Sequence, residues 1–292
     1  MSNTPSLVSD YDRPVHLGEN VFWVGVYDVH SHSHSNSFLV VEQDQAILID
    51  GGGRSAFARV VVKIIQSGIA PSNVGALVFQ NYNPHYTGSI SHLQGVIGRR
   101  DLKIISDRAN QIFVQHDSES GVLLSLEDIQ SQLSFSSGRR LDFIKMPFAH
   151  SAGSFATFDS KSGILFTGDL FGSYASAWDL FLQLAPKCRT CEDTAQCQDE
   201  KDGCPIRDIL TFHRDIMASE RALRFALDCI AKVPFTTIAP HHGGIIRNPD
   251  DIIRLCELLS SLKNVGIDGV IGERSFLDLG DTRPIREHLG GK

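Results

Sequence analysis

A chain of 292 residues with a net charge of −7, 42% hydrophobic and 21% charged residues can bury a sizeable core and has no signature of a disordered polypeptide. Its Lys and Arg residues are scattered and outnumbered, which argues against nucleic acid or an anionic membrane as the main partner. No apolar run approaches the roughly 20 residues of a membrane span, and residues 1–13 lack the basic-then-apolar plan of a secretion signal, so a cytoplasmic address is expected.

Along the chain, residues 21–27, 37–41 and 46–50 are short β-branched or aromatic runs divided by turn residues, which predicts three consecutive strands. Gly51-Gly52-Gly53 ends the third, and helical spacing follows over 55–66 until Gly68. A buried strand is predicted at 74–79, a helix at 88–97, a strand at 103–106 and a helix near 109–115. The second half repeats the style, with strands at 141–146, 156–158 and 163–167, the last two joined by a hairpin turn. An irregular cysteine-bearing stretch runs to Cys204. Helices at 206–217 and 219–232, a strand at 235–239 and a helix at 249–263 complete the pattern. Two packed sheets with helices on their outer faces would accommodate these elements, an α+β architecture.

Polar, metal-capable side chains follow several of the apolar strands. His85 comes after Leu77-Val78-Phe79, His150 after Phe143-Ile144-Lys145-Met146, Asp169 after Leu165-Phe166-Thr167, and His241-His242 after Thr236-Thr237-Ile238. Such residues at the ends of different strands can converge on one rim of a sheet, the usual way a site is assembled from distant segments. His30, His32 and His34 alternate, so within a strand they would share one face. His213 has no matching motif.

These segments carry a specific resemblance. Phe22-Trp23-Val24-Gly25-Val26, Asn36-Ser37-Phe38-Leu39-Val40 and Leu48-Ile49-Asp50 resemble the opening of the flavodiiron proteins and the oxygen-binding diiron proteins of the metallo-β-lactamase superfamily. Pro84 with Gly88-Ser89-Ile90, His150 to Ser154, Thr167 to Gly172, and Pro240-His241-His242-Gly243-Gly244-Ile245 continue the match in family order. The resemblance implies an αββα metallo-β-lactamase sandwich over residues 1–271, with a cysteine-rich insertion at about 186–205 and a tail or linker at 272–292.

It also implies a metal site, in which the departures matter. Where the family's first ligand segment reads His-x-Glu-x-Asp-His, this chain has Asn81-Tyr82-Asn83-Pro84-His85-Tyr86. Asn81 takes the first His position, Asn83 the Glu, His85 the Asp and Tyr86 the second His. The expected metal ligands are His85, His150, Asp169 and His242, with Asn81 and Asn83 as weak neutral donors. Tyr86, as a phenolate preferring ferric iron, is the candidate catalytic group. His32, His34 and His241 are expected beside the ligands, and His241 fills a small polar position of the family. Three carboxylates are reduced to one, so either one well-held iron or two unequal ones is expected. A zinc hydrolase is a weaker reading, because no acid between Asn81 and Tyr86 could orient a water.

Cys188, Cys191, Cys197 and Cys204 are spaced C-x2-C-x5-C-x6-C. Four thiolates suit an iron–sulfur cluster or a structural zinc equally by count; Cys204-Pro205 echoes a ferredoxin ending, and a [4Fe–4S] cluster is the expectation, with zinc the alternative. Cys229 and Cys256 lie in helical patterns and should be inert. The resemblance therefore implies a non-haem iron protein that binds O2 or NO, as a gas sensor or as a reductase fed by an electron donor. A downstream signalling domain and a homodimer are implied by the same analogy.

Overall fold

The computed structural model describes residues 11–28, 33–174, 178–191 and 203–272. The first half contains β1 (Val15–Gly18), β2 (Val21–Trp23), β3 (Val26–Asp28), β4 (Ser33–Ser35), β5 (Phe38–Glu42) and β6 (Gln45–Ile49). It continues with α1 (Phe57–Gln66), β7 (Val74–Val78), α2 (Pro84–Thr87), α3 (Ile90–Ile97), β8 (Lys103–Ser106), α4 (Arg108–Asp117) and β9 (Val122–Ser125). Its sheet has the order β1-β2-β5-β6-β7-β8-β9, antiparallel as far as β6 and parallel from β6 onward.

The second half opens with β10 (Gln132–Ser134), β11 (Arg140–Lys145), β12 (Phe155–Asp159), β13 (Ile164–Gly168) and β14 (Phe181–Leu182). Then come α5 (Pro186–Arg189), α6 (Pro205–Ile216), α7 (Glu220–Ile230), β15 (Thr237–Pro240), β16 (Ile245–Ile246), α8 (Pro249–Ser260) and α9 (Ile267–Ile271). The second sheet has the order β10-β11-β12-β13-β15-β16-β14.

Alternation along the strands builds three apolar layers. Phe38, Val40, Ile47, Ile49 and Val78 point inward and meet Phe143, Phe155, Phe166 and Ala239 between the sheets. Their neighbours Leu39, Leu48 and Leu77 point outward and pack under Val60, Ile64, Ile90, Leu93 and Val114 of α1, α3 and α4. On the far side Ala156, Phe158, Leu165 and Ile238 are covered by Ile206, Ile209, Leu223, Leu227 and Leu255 of α6, α7 and α8. The result is the expected αββα sandwich, with each fully buried Leu, Ile or Phe contributing about 1.5–3 kcal/mol.

The single strand expected at 21–27 is in fact two. Gly25 interrupts it, where an added Cβ would lie 2.3 Å from the Ser35 carbonyl. The chain leaves the sheet there, and β3 pairs with β4 as a separate ribbon. His34 lies in this ribbon, whereas His30 and His32 fall outside the described residues.

Strand direction positions the site. β6 and β7 are parallel, so Asp50 and the segment Phe79-Gln80-Asn81 emerge at one end of the first sheet. β13 and β15 are also parallel, so Asp169 and His241-His242 emerge together from the second. The β11–β12 connection at the same end carries His150. Gln80 joins the two sheets there, donating Nε2 to the carbonyls of Phe155 (3.1 Å) and Phe166 (2.7 Å).

Candidate metal centre

Asp169 lies at the middle of the converging segments and is almost wholly buried. Its Oδ2 stands 2.5 Å from His150 Nδ1 and 3.2 Å from Asn81 Nδ2. Burial alone would raise the Asp169 carboxyl, but the hydrogen bond from His150 and the nearby imidazoles hold it below the ordinary range. His150 has φ 90°, Asp50 φ 54° and Phe171 φ 67°, left-handed conformations that cost a non-glycine residue roughly 1–3 kcal/mol and gather where function over-determines the backbone.

His242 is fixed from behind. Its Nδ1 lies 3.1 Å from the His34 carbonyl, which can only accept, so the proton is on Nδ1 and the Nε2 lone pair is left for another partner. This is the arrangement by which proteins orient imidazole ligands. His34 in turn accepts from the Gly243 N–H at 2.6 Å and stacks on Trp178. Asn36 ties the same loop down, donating to the carbonyls of Pro240 and Gly243, both at 2.8 Å, while Trp23 donates to its Oδ1. Burial lowers His34 to about 4 and His241 to about 3, and holds His242 well below its ordinary range, so these rings are neutral at physiological pH.

Tyr86 is buried, with its ring stacked on His241 at a centroid distance of 3.7 Å. Its hydroxyl makes no hydrogen bond of acceptable geometry, and burial with the charges of Asp169 and Asp50 holds the phenol well above its usual range. Neither ring nitrogen of His241 makes a hydrogen bond of good geometry; its Nδ1 faces Asp50 Oδ2 at 3.7 Å. His85 is exposed on α2, its ring 5.6 Å from that of His242. A cavity of about 800 Å³ opens over His242 and is bounded by His34, His85, Arg54, Arg59 and Tyr174.

The two asparagines behave differently from metal ligands. Asn83 Oδ1 accepts the His85 N–H at 3.0 Å and caps α2. Asn81 Oδ1 accepts the backbone N–H groups of Tyr82 (2.7 Å) and Asn83 (3.3 Å), so its amide nitrogen faces Asp169 and His150. Sequence reasoning did not find Asp50, Gln80 and Asn36 as parts of the site, although Asp50 ends an apolar strand just as Asp169 does. His213 was also passed over. It is buried on α6, donates Nδ1–H to the Ile209 carbonyl at 2.7 Å and accepts the Phe171 N–H at 2.9 Å, holding the turn after Asp169.

Among the described residues, no three His, Cys, Asp or Glu side chains stand together as a ready-made metal cage. The donor chemistry separates two halves. On the Asn81 side, Asp169 Oδ2 is already engaged by protein donors, and that half does not fit a metal ion. On the other side, His85, His242 and Asp169 are two imidazoles and a carboxylate, the donor types of non-haem iron, with the Tyr86 phenol beside Asp169; the fit of that half is one of donor type, since the three do not stand together as a cage. Of the cysteines, Cys188 and Cys191 flank the end of α5, Cys204 precedes α6, and none of the described ones is in a disulfide; Cys197 lies outside the described residues.

Fold and rim-built histidine site together define a metallo-β-lactamase-like protein. The profile of the ODP family beta lactamase matches residues 33–243, more than half of the chain, and the chain belongs to that family. A solved structure described as the apo state of the chemotaxis sensor ODP from T. denticola is similar at 22% identity, covering 88% of this chain and 96% of that one with a TM-score of 0.65. The rubredoxin oxygen:oxidoreductase of Desulfovibrio gigas is similar at 18% identity and TM-score 0.68, covering 85% of this chain and 60% of that one. A putative diflavin flavoprotein A 1 of Nostoc sp. is 23% identical over 241 residues, 80% of this chain, and the chain spans only 36% of that relative's length. No described helix is long and apolar enough to cross a membrane.

Proposed function

We propose that this chain is a non-haem iron protein of sensory character that holds one iron on the His85–Tyr86–His242 side of Asp169 and responds to O2 or NO. The observation that carries this reading is the pairing of an oriented His242, its Nδ1–H given to the His34 carbonyl, with a buried Tyr86 hydroxyl that faces Asp169 and makes no hydrogen bond of good geometry. When bound, iron supplies an open coordination position at which a diatomic gas is held. The chain's own part is to keep His242 in one tautomer, to press the Tyr86 ring flat against His241, and to leave the cavity above them open.

Sensing is favoured over reduction by charge. Asp169 is the one carboxylate among the expected ligands, in place of the family's three, and burial raises the Asp50 carboxyl toward its neutral form, so the site neutralises less of the charge that a multi-electron reaction accumulates. The sequence similarity to flavodiiron proteins keeps an O2 or NO reductase as the second reading, with an iron–sulfur cluster on Cys188, Cys191, Cys197 and Cys204 as the electron relay; zinc in those cysteines would make the loop structural instead.

The test is iron, zinc and acid-labile sulfide analysis of protein purified without oxygen, with visible spectra before and after O2 or NO. Expected is about one iron per chain beyond any matched by sulfide, with a spectral response to gas. Zinc alone, without colour or response, overturns the proposal.

A further inference from the structure

We infer that the Asn81 carboxamide stands in for a cation at the first metal position, capping Asp169 so that this half of the site is closed and metal-free. The inference concerns the same site as the single-iron reading but does not depend on it.

The orientation of the amide is set by chemistry. Asn81 Oδ1 receives two backbone N–H groups, from Tyr82 at 2.7 Å and Asn83 at 3.3 Å. Turning the amide over would aim its NH2 at two donors, so the oxygen stays where it is and Nδ2 faces inward. Nδ2 then lies 3.2 Å from Asp169 Oδ2 and 2.9 Å from His150 Nδ1. His150 Nδ1 is itself 2.5 Å from the same Oδ2. A nitrogen that close to a carboxylate oxygen carries the proton and donates, so its lone pair is not available to Asn81. Asn81 therefore gives its hydrogen bond to Asp169, and its contact with Nδ1 is a neighbour distance only.

The consequence is a carboxylate oxygen served by two N–H donors, one neutral and one from imidazole, in the place where a metal would neutralise it. A metal at this position needs both Asp169 Oδ2 and a lone pair on the interior nitrogen of His150, and both are spent. Nor does the chain supply a replacement acid: Asn83 Oδ1 is committed to the His85 N–H. The backbone bends to keep the arrangement, with His150 at φ 90°. Asn81 is thus a positioning residue for Asp169.

The full chain, stripped of metal, is titrated with Zn(II), desalted and analysed, alongside the double variant Asn81→His/Asn83→Glu. Because the cysteine loop and the second position are the same in both, the difference in ions per chain reports the first position. The expected result is one additional ion per chain in the variant. Equal stoichiometry in variant and wild type overturns the inference. Should the variant fail to fold, the side-chain amide resonances of Asn81 in the wild type decide the question. Amide protons that stay protected from solvent exchange as Zn(II) is added support the cap, whichever way their resonances shift, and loss of that protection overturns it. A wild type that takes up no ion at the second position sinks the single-iron reading while leaving this inference standing.

Discussion

At the end of the sandwich where β5 turns into β6, Arg139 donates Nε to Asp159 Oδ1 at 3.1 Å and a terminal nitrogen to Oδ2. Its Nη1 meets the carbonyls of Glu19 (2.8 Å) and Val41 (3.0 Å) and the Glu42 carboxylate, which Lys161 holds from outside. At the opposite end, Asp50 Oδ2, the Tyr86 hydroxyl and both nitrogens of His241 are buried without a hydrogen bond of good geometry, His241 Nδ1 facing Asp50 at 3.7 Å and the Tyr86 hydroxyl facing Asp169. The two clusters are equally dry, with Arg139 and Asp159 at 1% and 0% side-chain exposure and His241 and Asp50 at 0% and 1%. An unpartnered buried polar group costs about 1–3 kcal/mol. A chain that closes one network so completely has the means to close the other, and the open end is where ligand chemistry is expected.

Acid separates the ends most strongly. Burial, the largest cause in each case, lowers His34 and His213 to about 4 and His241 to about 3, from an ordinary value of 6.5. Between pH 6.5 and about 4 the unfolded chain therefore binds protons that the folded chain refuses, and stability falls as pH falls. Each ring contributes up to about 1.4 kcal/mol per pH unit in that window. Asp50, its carboxyl raised by burial, works in the opposite direction and offsets part of the loss. Urea midpoints at pH 7, 6 and 5 should drop progressively; a flat series would mean that these imidazoles are not buried as neutral rings.

The closed end is sensitive to substitution instead. Asp159→Leu leaves the buried Arg139 guanidinium with Glu42 as its remaining carboxylate, and should cost about 3 kcal/mol, the low end for breaking a buried pair. The double variant Arg139→Met/Asp159→Leu should recover most of that in the same denaturation assay. Equal losses in the single and double variants would mean that packing, and not the ion pair, matters at that end.

How much of this was legible in the sequence follows from where each partner lies. Asp169, His150 and His242 could be read because each follows an apolar strand, and strand direction alone brings such residues to one rim. The αββα sandwich followed from the same strands together with the family motifs. His213 could not be read. Its partners, Ile209 and Phe171, are backbone groups, one of them 42 residues away, and backbone groups leave no trace in residue identity. Asn36 and Gln80 are of the same kind, both spanning the two sheets. The strands β1, β9, β10, β14 and β16 went unseen because they are two to four residues long, too short for a period to register. The roles of Asn81 and Asn83 were legible as departures from a motif but not as geometry, since whether an amide presents oxygen or nitrogen depends on which backbone groups hold it.

The smallest effect tests the open end directly. Tyr86→Phe removes one buried hydroxyl that makes no hydrogen bond of good geometry and keeps the ring stacked on His241. In metal-free protein only its approach to Asp169 is lost and a desolvation cost is removed, so stability should change by no more than about 0.5 kcal/mol or rise by up to about 1 kcal/mol. A hydroxyl that was quietly satisfied would instead give a loss of about 1–2 kcal/mol and place Tyr86 with the closed network. In iron-loaded protein the same substitution should abolish a phenolate-to-iron absorption band, because the phenol oxygen is the only part of the side chain that changes. A variant with unchanged stability and an unchanged spectrum would separate the two properties: the hydroxyl would be unpartnered, yet not a ligand. The open end would then be left with His85, His242 and Asp169 as its donors.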